Sequence, residues 1–367
     1  MKPMVTKRIW PWQERQGFPW EGLKIYHGDS PLRLDSGETI DDWHLAYEEW
    51  GPPSGVPVVL FHALTGDSRA ASHTSVGSPG WWEGVVGPGA GLNTERFHVL
   101  CFNVLGGAMG STGPSSADAL GDPWGSRFPS LTLFDMARAA RALIHAWHAE
   151  PVHLIGGSMG GMLAFAYAAL YPAESKSLMA IGAPIEHHPW AIAYHAVGRA
   201  AIVGDPHFRG GDYYEGPYPE QGLAVARMAD MISYQHPDSM GRKFGRALQA
   251  PRMDEFQISS YLRYQGTKLV SRFDANTYLT LTRAMDAFAL NAEHVQALKE
   301  TLVWMVGIES DILYPPDEME AHFRTLTEAG VSARLGWLKG PWGHDTFLVE
   351  QKQMGALVAE FLQDATS

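Results

Sequence analysis

Ser158 stands in Pro151-Val152-His153-Leu154-Ile155-Gly156-Gly157-Ser158-Met159-Gly160-Gly161, surroundings that suit a serine nucleophile. A serine hydroxyl attacks poorly until a neighbouring base takes its proton, and that base needs an orienting acid. Glycines at 156, 160 and 161 permit a turn too sharp for side chains, which leaves the hydroxyl exposed at a helix start. The Met159 N–H can there face a developing oxyanion, and the helix N-terminus favours negative charge. The matching acid and base come late. Asp311 lies in Gly307-Ile308-Glu309-Ser310-Asp311, and His344 in Gly340-Pro341-Trp342-Gly343-His344-Asp345, with Glu309 and Asp345 as rival acids. A second oxyanion donor is expected from His62-Ala63-Leu64-Thr65-Gly66, from the Leu64 or Ala63 N–H, with Leu64 preferred. The order serine, acid, histidine suits acyl transfer through a serine ester.

These residues need elements that bring them to one edge of a sheet. Residues 152–155 form a short apolar run rich in β-branched side chains, and the Ala-rich segment after Ser158 stops at Tyr171-Pro172, so strand, turn and helix follow one another. Buried strands are predicted at 56–61, 97–102, 177–181, 301–307 and 333–338. The partly alternating stretch 40–51 predicts an antiparallel strand near a sheet edge. Thr132 and Asp135 have the spacing of a capping box, and Met136, Ala140, Leu143 and Trp147 recur at helical spacing behind it. A last helix is expected near 355–362. Strands alternating with helices imply an α/β fold with a mostly parallel, doubly wound sheet.

From 185 to 298 the pattern is helical, with apolar residues at three- and four-residue spacing in 224–234, 258–273 and 278–288. That block reads as an inserted helical lid over the strands' C-terminal ends, between core pieces 1–184 and 299–367. Residues 1–20 carry Pro3, Pro11 and Pro19 and read as an irregular arm. The Gly-, Ser- and Thr-rich stretch 103–116 lacks the G-x-x-x-x-G-K-[ST] of a phosphate cradle and predicts a tight loop beside the serine turn.

With 367 residues, 45% hydrophobic and 19% charged, the chain can bury a large core. Its formal net charge of −12, with no basic run, argues against nucleic acid as a partner. Cys101, the single cysteine, excludes an intramolecular disulfide and lies inside a strand pattern, which predicts a buried small hydrophobe. The first residues lead into no apolar run, no stretch reaches the roughly 20 apolar residues of a membrane span, and a cytoplasmic location is expected. No H-E-x-x-H or clustered Cys/His marks a metal, so none is expected.

Beyond these readings, the chain resembles the homoserine O-acetyltransferase family of the α/β-hydrolase superfamily, from about Leu45 to Phe361. The likeness rests on His62-Ala63-Leu64-Thr65-Gly66, Asn103-Val104-Leu105-Gly106-Gly107, Gly110-Ser111-Thr112-Gly113-Pro114-Ser115-Ser116 and the Ser158 turn. It continues through Gly222-Leu223-Ala224-Val225-Ala226-Arg227-Met228, Ser260-Tyr261-Leu262-Arg263-Tyr264-Gln265-Gly266, Arg272-Phe273-Asp274-Ala275-Asn276 and Gly343-His344-Asp345. The serine turn alone would say only α/β-hydrolase fold; the lid motifs are the specific part. The resemblance implies ping-pong transfer of an acyl group from a coenzyme A thioester to the L-homoserine hydroxyl, in methionine biosynthesis. Ser158, Asp311 and His344 would be catalytic, and Leu64 and Met159 would hold the oxyanion. The resemblance also implies that Arg227 binds the amino acid's carboxylate and Asp345 its ammonium, in a homodimer with acetyl-CoA as co-substrate and no tightly bound cofactor.

Family members that take succinyl groups tend to carry an arginine just after the acid. Here Ile312 and Leu313 follow Asp311, and an uncompensated carboxylate in an apolar pocket is costly, which favours acetyl. Ile312 stands where the family commonly has tryptophan, and Ala108-Met109 where Cys-Lys is common. A homoserine O-succinyltransferase, a serine O-acyltransferase and an α/β-hydrolase esterase are the alternatives. One methylene separates serine from homoserine, worth only about 1–3 kcal/mol of discrimination. A binding protein on the same scaffold would normally have lost one of Ser158, Asp311 or His344.

Overall fold

The structure, a computed structural model, describes residues 9–73, 79–249 and 254–366. Its main sheet consists of β1 (Lys24–His27), β2 (His44–Trp50), β3 (Val56–Phe61), β4 (Phe97–Phe102), β5 (Val152–Gly157), β6 (Ser175–Ile181), β7 (Leu302–Ile308) and β8 (Ala333–Leu338). The order across this eight-stranded sheet is β1-β2-β4-β3-β5-β6-β7-β8. Only the pairings β1–β2 and β2–β4 are antiparallel; the others are parallel. Strands β4 and β5 are buried along their whole length, which is why they read as continuous apolar runs. The one main-sheet strand the sequence pattern missed is β1, at the edge, with one exposed and three half-buried residues and no apolar face to betray it.

Successive residues of one strand feed two cores. Val59 and Phe61 of β3 join the cluster on one side of the sheet, and Val58 and Leu60 the cluster on the other. The first side is covered by α1 (Leu133–Trp147) and α2 (Met159–Leu170), the second by the C-terminal helix Gln351–Ala365. The capping box of α1 is present: the Asp135 N–H donates to Thr132 Oγ1 at 3.1 Å, and the Thr132 N–H to Asp135 Oδ2 at 2.9 Å.

Between β6 and β7 the chain is helical: α3 (Pro189–Val203), α4 (Glu220–Tyr234), α5 (Pro237–Phe244), α6 (Gln257–Val270) and α7 (Ala275–Asp286). Helix α4 packs against both α3 and α6, and its C-terminal end reaches the turn that carries His344.

The N-terminal segment differs in part from the irregular arm expected. Its first eight residues lie outside the described set, but Pro11–Arg15 is a short helix, and Trp10 and Trp12 are buried and stacked at 5.6 Å. Trp10 Nε1 donates to the Ser115 carbonyl at 2.7 Å, and Gln13 Nε2 to that of Ala108 at 2.9 Å. The prolines hide this anchoring, and two indoles spaced two apart are too short a run to mark a strand or a helix.

Candidate active site

Ser158 occupies the turn from β5 into α2 with φ 54° and ψ −124°, a conformation L-residues rarely adopt. Such a backbone costs on the order of 1–3 kcal/mol and persists only where its neighbours over-determine it. They do so through contact. A Cβ on Gly156 would lie 2.2 Å from the Gly160 carbonyl oxygen, and one on Gly160 would lie 2.0 Å from that of Phe61. The Ser158 N–H donates to the Ile181 carbonyl at 2.8 Å, fastening the turn to the end of β6.

His344 rests on the same strand end, where a Cβ on Gly182 would come within 3.2 Å of its Cε1. Its Nδ1 lies 2.6 Å from Asp311 Oδ2. The other Asp311 oxygen accepts the backbone N–H groups of Leu313, at 2.8 Å, and Tyr314, at 3.1 Å. Burial pulls the imidazole's pKa down, but the Asp311 charge and hydrogen bond, aided by Asp345, outweigh it and hold the pKa above the usual histidine value. Rings of Tyr314, Tyr234 and Phe347 surround the imidazole at 5.3–5.7 Å. Its Nε2 is buried without a hydrogen-bond partner, which leaves that atom free to accept a proton. Neither rival acid bonds the imidazole: the half-exposed Glu309 faces Lys339 Nζ at 3.6 Å, and Asp345, though close to His344, has its Oδ2 accepting from Gln235 Nε2 at 2.8 Å.

The loop after β3 is held by a histidine to which no local sequence rule gives a role. His62 is fully buried, and burial lowers its pKa, so it is neutral. Its Nδ1 faces the Ala63 carbonyl at 2.8 Å and its Nε2 accepts the Val104 N–H at 3.2 Å, which assigns the Nδ1–H tautomer. Arg272 Nη1 donates to the Thr65 carbonyl in the same loop. Among the described residues, the N–H groups of Ala63, Leu64 and Met159 make no hydrogen bond, which is what oxyanion donors require.

Arg227, on α4, has Nη1 buried without a partner and its guanidinium 5.3 Å from the Tyr234 ring centre. Burial holds the Asp345 carboxyl above the ordinary range, against the opposing charges of Arg227 and His344. Two further groups enrich this corner. Asp230, one turn beyond Arg227, has Oδ1 bonded to the Tyr278 hydroxyl at 2.8 Å and Oδ2 buried and unpartnered. Arg272 is so buried, and so near Arg227, that its pKa is pushed down to about 10. The signal that could have singled out Asp230 was a charged residue inside an otherwise apolar helical pattern; Arg272 lies in the link between α6 and α7 and gave no such signal.

Ile312 directly follows the acid, and its carbonyl accepts from Trp190 Nε1 at 3.1 Å. Ala108 and Met109 are buried beneath the N-terminal helix, where Asn103 Nδ2 donates to the Met109 carbonyl at 2.7 Å. Cys101 is fully buried, and burial raises its thiol pKa, so it behaves as a hydrophobe. No helix among the described residues is long and apolar enough to cross a membrane.

A sequence model of the family described as alpha/beta hydrolase fold matches residues 56–351. A protein of Caulobacter vibrioides (strain NA1000 / CB15N) named homoserine O-acetyltransferase is 42% identical over 363 residues, covering 94% of this chain and 95% of its own. The chain belongs to the homoserine O-acetyltransferase family. Among solved structures, esterase E22 matches with a TM-score of 0.85 at 22% identity, covering 93% of this chain and 99% of its own. Homoserine O-acetyltransferase from Bacillus anthracis matches at 0.84 and 22%, covering 94% of this chain and 98% of its own. These two likenesses show the α/β-hydrolase fold, which an esterase and a transferase evidently share.

Proposed function

We propose that the protein transfers an acetyl group from acetyl-CoA to the hydroxyl of L-homoserine, giving O-acetyl-L-homoserine and CoA, in two half-reactions. In the first, His344 Nε2 takes the Ser158 proton as Oγ bonds to the thioester carbonyl carbon. The oxyanion sits against the N–H groups of Leu64 and Met159, each donor worth roughly 3 kcal/mol. As the C–S bond breaks, the proton on His344 passes to the sulfur and CoA leaves. In the second, His344 takes the homoserine hydroxyl proton, the new C–O bond forms, and Ser158 Oγ leaves with that proton. Asp311 holds the imidazole tautomer throughout.

The observation that carries this reading is Arg227 with its buried, unpartnered Nη1, electrostatically coupled to Asp345 beside His344. A guanidinium near a carboxylate that itself neighbours the base suits the carboxylate and ammonium of an amino acid, whereas water as acceptor needs neither. Acetyl is preferred to succinyl because apolar Ile312 and Leu313 follow Asp311, with no cation there to pair a second carboxylate. We place the reaction in methionine biosynthesis in the cytoplasm, with no resident metal or cofactor. We further propose a homodimer through the lid, supported by large apolar side chains exposed there: Trp190 at 49%, Val197 at 56% and Tyr264 at 61%.

The test is thiol release from acetyl-CoA by the purified protein with L-homoserine, with L-serine and with neither, each repeated with succinyl-CoA. Release that requires L-homoserine and acetyl-CoA, with O-acetyl-L-homoserine as product and loss of activity in Ser158→Ala, is expected. Equal release without any amino acid would make water the acceptor and the protein an esterase.

A further inference from the structure

Behind the candidate site lies a second buried polar cluster that the acyl-transfer steps do not use. His187, in the segment between β6 and α3, has a side chain with no solvent exposure, and its Nε2 lies 2.9 Å from the Tyr314 hydroxyl. Its other nitrogen, Nδ1, lies 3.4 Å from Asp286 Oδ1, outside hydrogen-bond geometry. Asp286 closes α7 and takes His195 Nδ1 at 2.7 Å on Oδ1 and Arg199 Nη2 at 2.6 Å on Oδ2, both from α3. The rings of His187 and His195 stack at 5.1 Å.

His187, His195 and Asp286 also have the proximity of metal ligands. The second Asp286 oxygen is already held by a guanidinium, and a divalent ion would add positive charge beside it. The cluster therefore reads as an ion network that joins two lid helices.

Its other end touches the acid and the base. The Tyr314 backbone N–H is one of two donors on Asp311 Oδ1, and the Tyr314 ring packs edge-on to His344 at 5.3 Å and 73°. Tyr314 is fully buried, so its hydroxyl has no water to turn to if His187 is lost. The Asp311 bond fixes one nitrogen of the imidazole, but the tilt that aims Nε2 at Ser158 depends on the rings packed around it. We propose that Asp286, His187 and Tyr314 form a positioning array through which the lid sets the orientation of His344. The lid is thereby coupled to the base as well as to the acceptor: α3 and α7 must be seated for the Tyr314 ring to hold its place. This inference rests on the reading of His344 as the general base for Ser158.

The experiment follows the acyl-enzyme directly, by rapid mixing of the full-length protein with 4-nitrophenyl acetate across pH. Burst amplitude counts intact sites, and the burst rate constant reports how well each one is aligned. Ser158→Ala must abolish the burst; a burst that survives it overturns the serine reading itself, whatever the other variants do. Tyr314→Phe and His187→Leu are expected to acylate on the order of tenfold more slowly per intact site. Their acidic limb should move to lower pH, because a loosened Asp311 no longer supports the imidazolium as well. The titratable groups that face His344 are Asp311, Asp345, Tyr234 and Tyr314, and each variant leaves the first three in place. His187→Gln, which can still accept or donate at Tyr314, should recover most of the rate. A loss confined to burst amplitude, with rate constant and limb unmoved, would show a purely structural role and overturn the proposal. So would rate constants within twofold of wild type in both Tyr314→Phe and His187→Leu.

Discussion

At the scale of single residues, the decisive contact is the 2.6 Å approach of Asp311 Oδ2 to His344 Nδ1. Asp311→Asn would keep the shape but lose the charge and the tautomer control, and kcat is expected to fall roughly 10⁴-fold in the thiol-release assay. The pH dependence follows from the raised His344 pKa. Only the neutral imidazole can accept the Ser158 proton, so kcat/KM should fall as pH drops through a value above the ordinary histidine pKa of about 6.5. In Asp311→Asn burial acts nearly unopposed, and the same limb should shift to lower pH. Arg227→Lys keeps a charge but not the planar fork that binds a carboxylate at two points. KM for L-homoserine should rise on the order of tenfold or more while the acylation half-reaction is unchanged. An equal fall in acylation rate would place Arg227 outside the acceptor site.

At the scale of elements, the strand–serine–helix unit is a packing device as well as a mount for Ser158. Gly160 lets α2 start directly against the end of β3, and the methyl group of Gly160→Ala would overlap the Phe61 carbonyl. Because the obstacle is backbone, relief requires α2 or the loop after β3 to move. A loss of about 3 kcal/mol in urea unfolding is expected, seen as a lower midpoint at unchanged slope, with impaired acylation in whatever remains folded. Near-wild-type stability and rate would mean that the turn has room the structure does not show. Helix α1 offers a milder check. Removing its cap in Thr132→Ala should cost about 1 kcal/mol and leave kcat untouched, since the hydrogen bonds of Thr132 run to Asp35 and Asp135 and to no residue of the candidate site.

At the scale of the whole molecule, the lid and the core are tied at several distant points. Trp12 stacks on Trp10 and meets Tyr218, just before α4, edge-on at 5.3 Å, so the N-terminal segment clamps the lid's approach from outside. Trp12→Ala should destabilise the protein by about 3–5 kcal/mol, as large-to-small changes in a packed site do. If the clamp also steadies the acceptor pocket, KM for L-homoserine should rise in the same variant at temperatures well below unfolding. An unchanged Tm would show that the segment lies on the surface without contributing to the fold.

Much of this was legible in the amino-acid sequence. Strands β3 to β8, the capping box of α1 and the Ser158 turn all follow from short-range rules: side-chain period, glycine where the backbone is crowded, and a cap beside a helix start. Such rules act between neighbours in the chain, and one strand of residues carries them. Partner choice does not. Nothing local separates Asp311 from Glu309 or Asp345 as the carboxylate facing His344; the loop after β7 aims Asp311 at it only because β7 and β8 lie side by side in register. The anchoring of Trp10 and Trp12, the orphaned Nη1 of Arg227 and the meeting of Tyr314 with His187 and Asp286 are likewise decisions of packing. Their partners lie far apart in sequence, and burial, which makes an unpaired polar atom costly, is set only once the chain has closed around them.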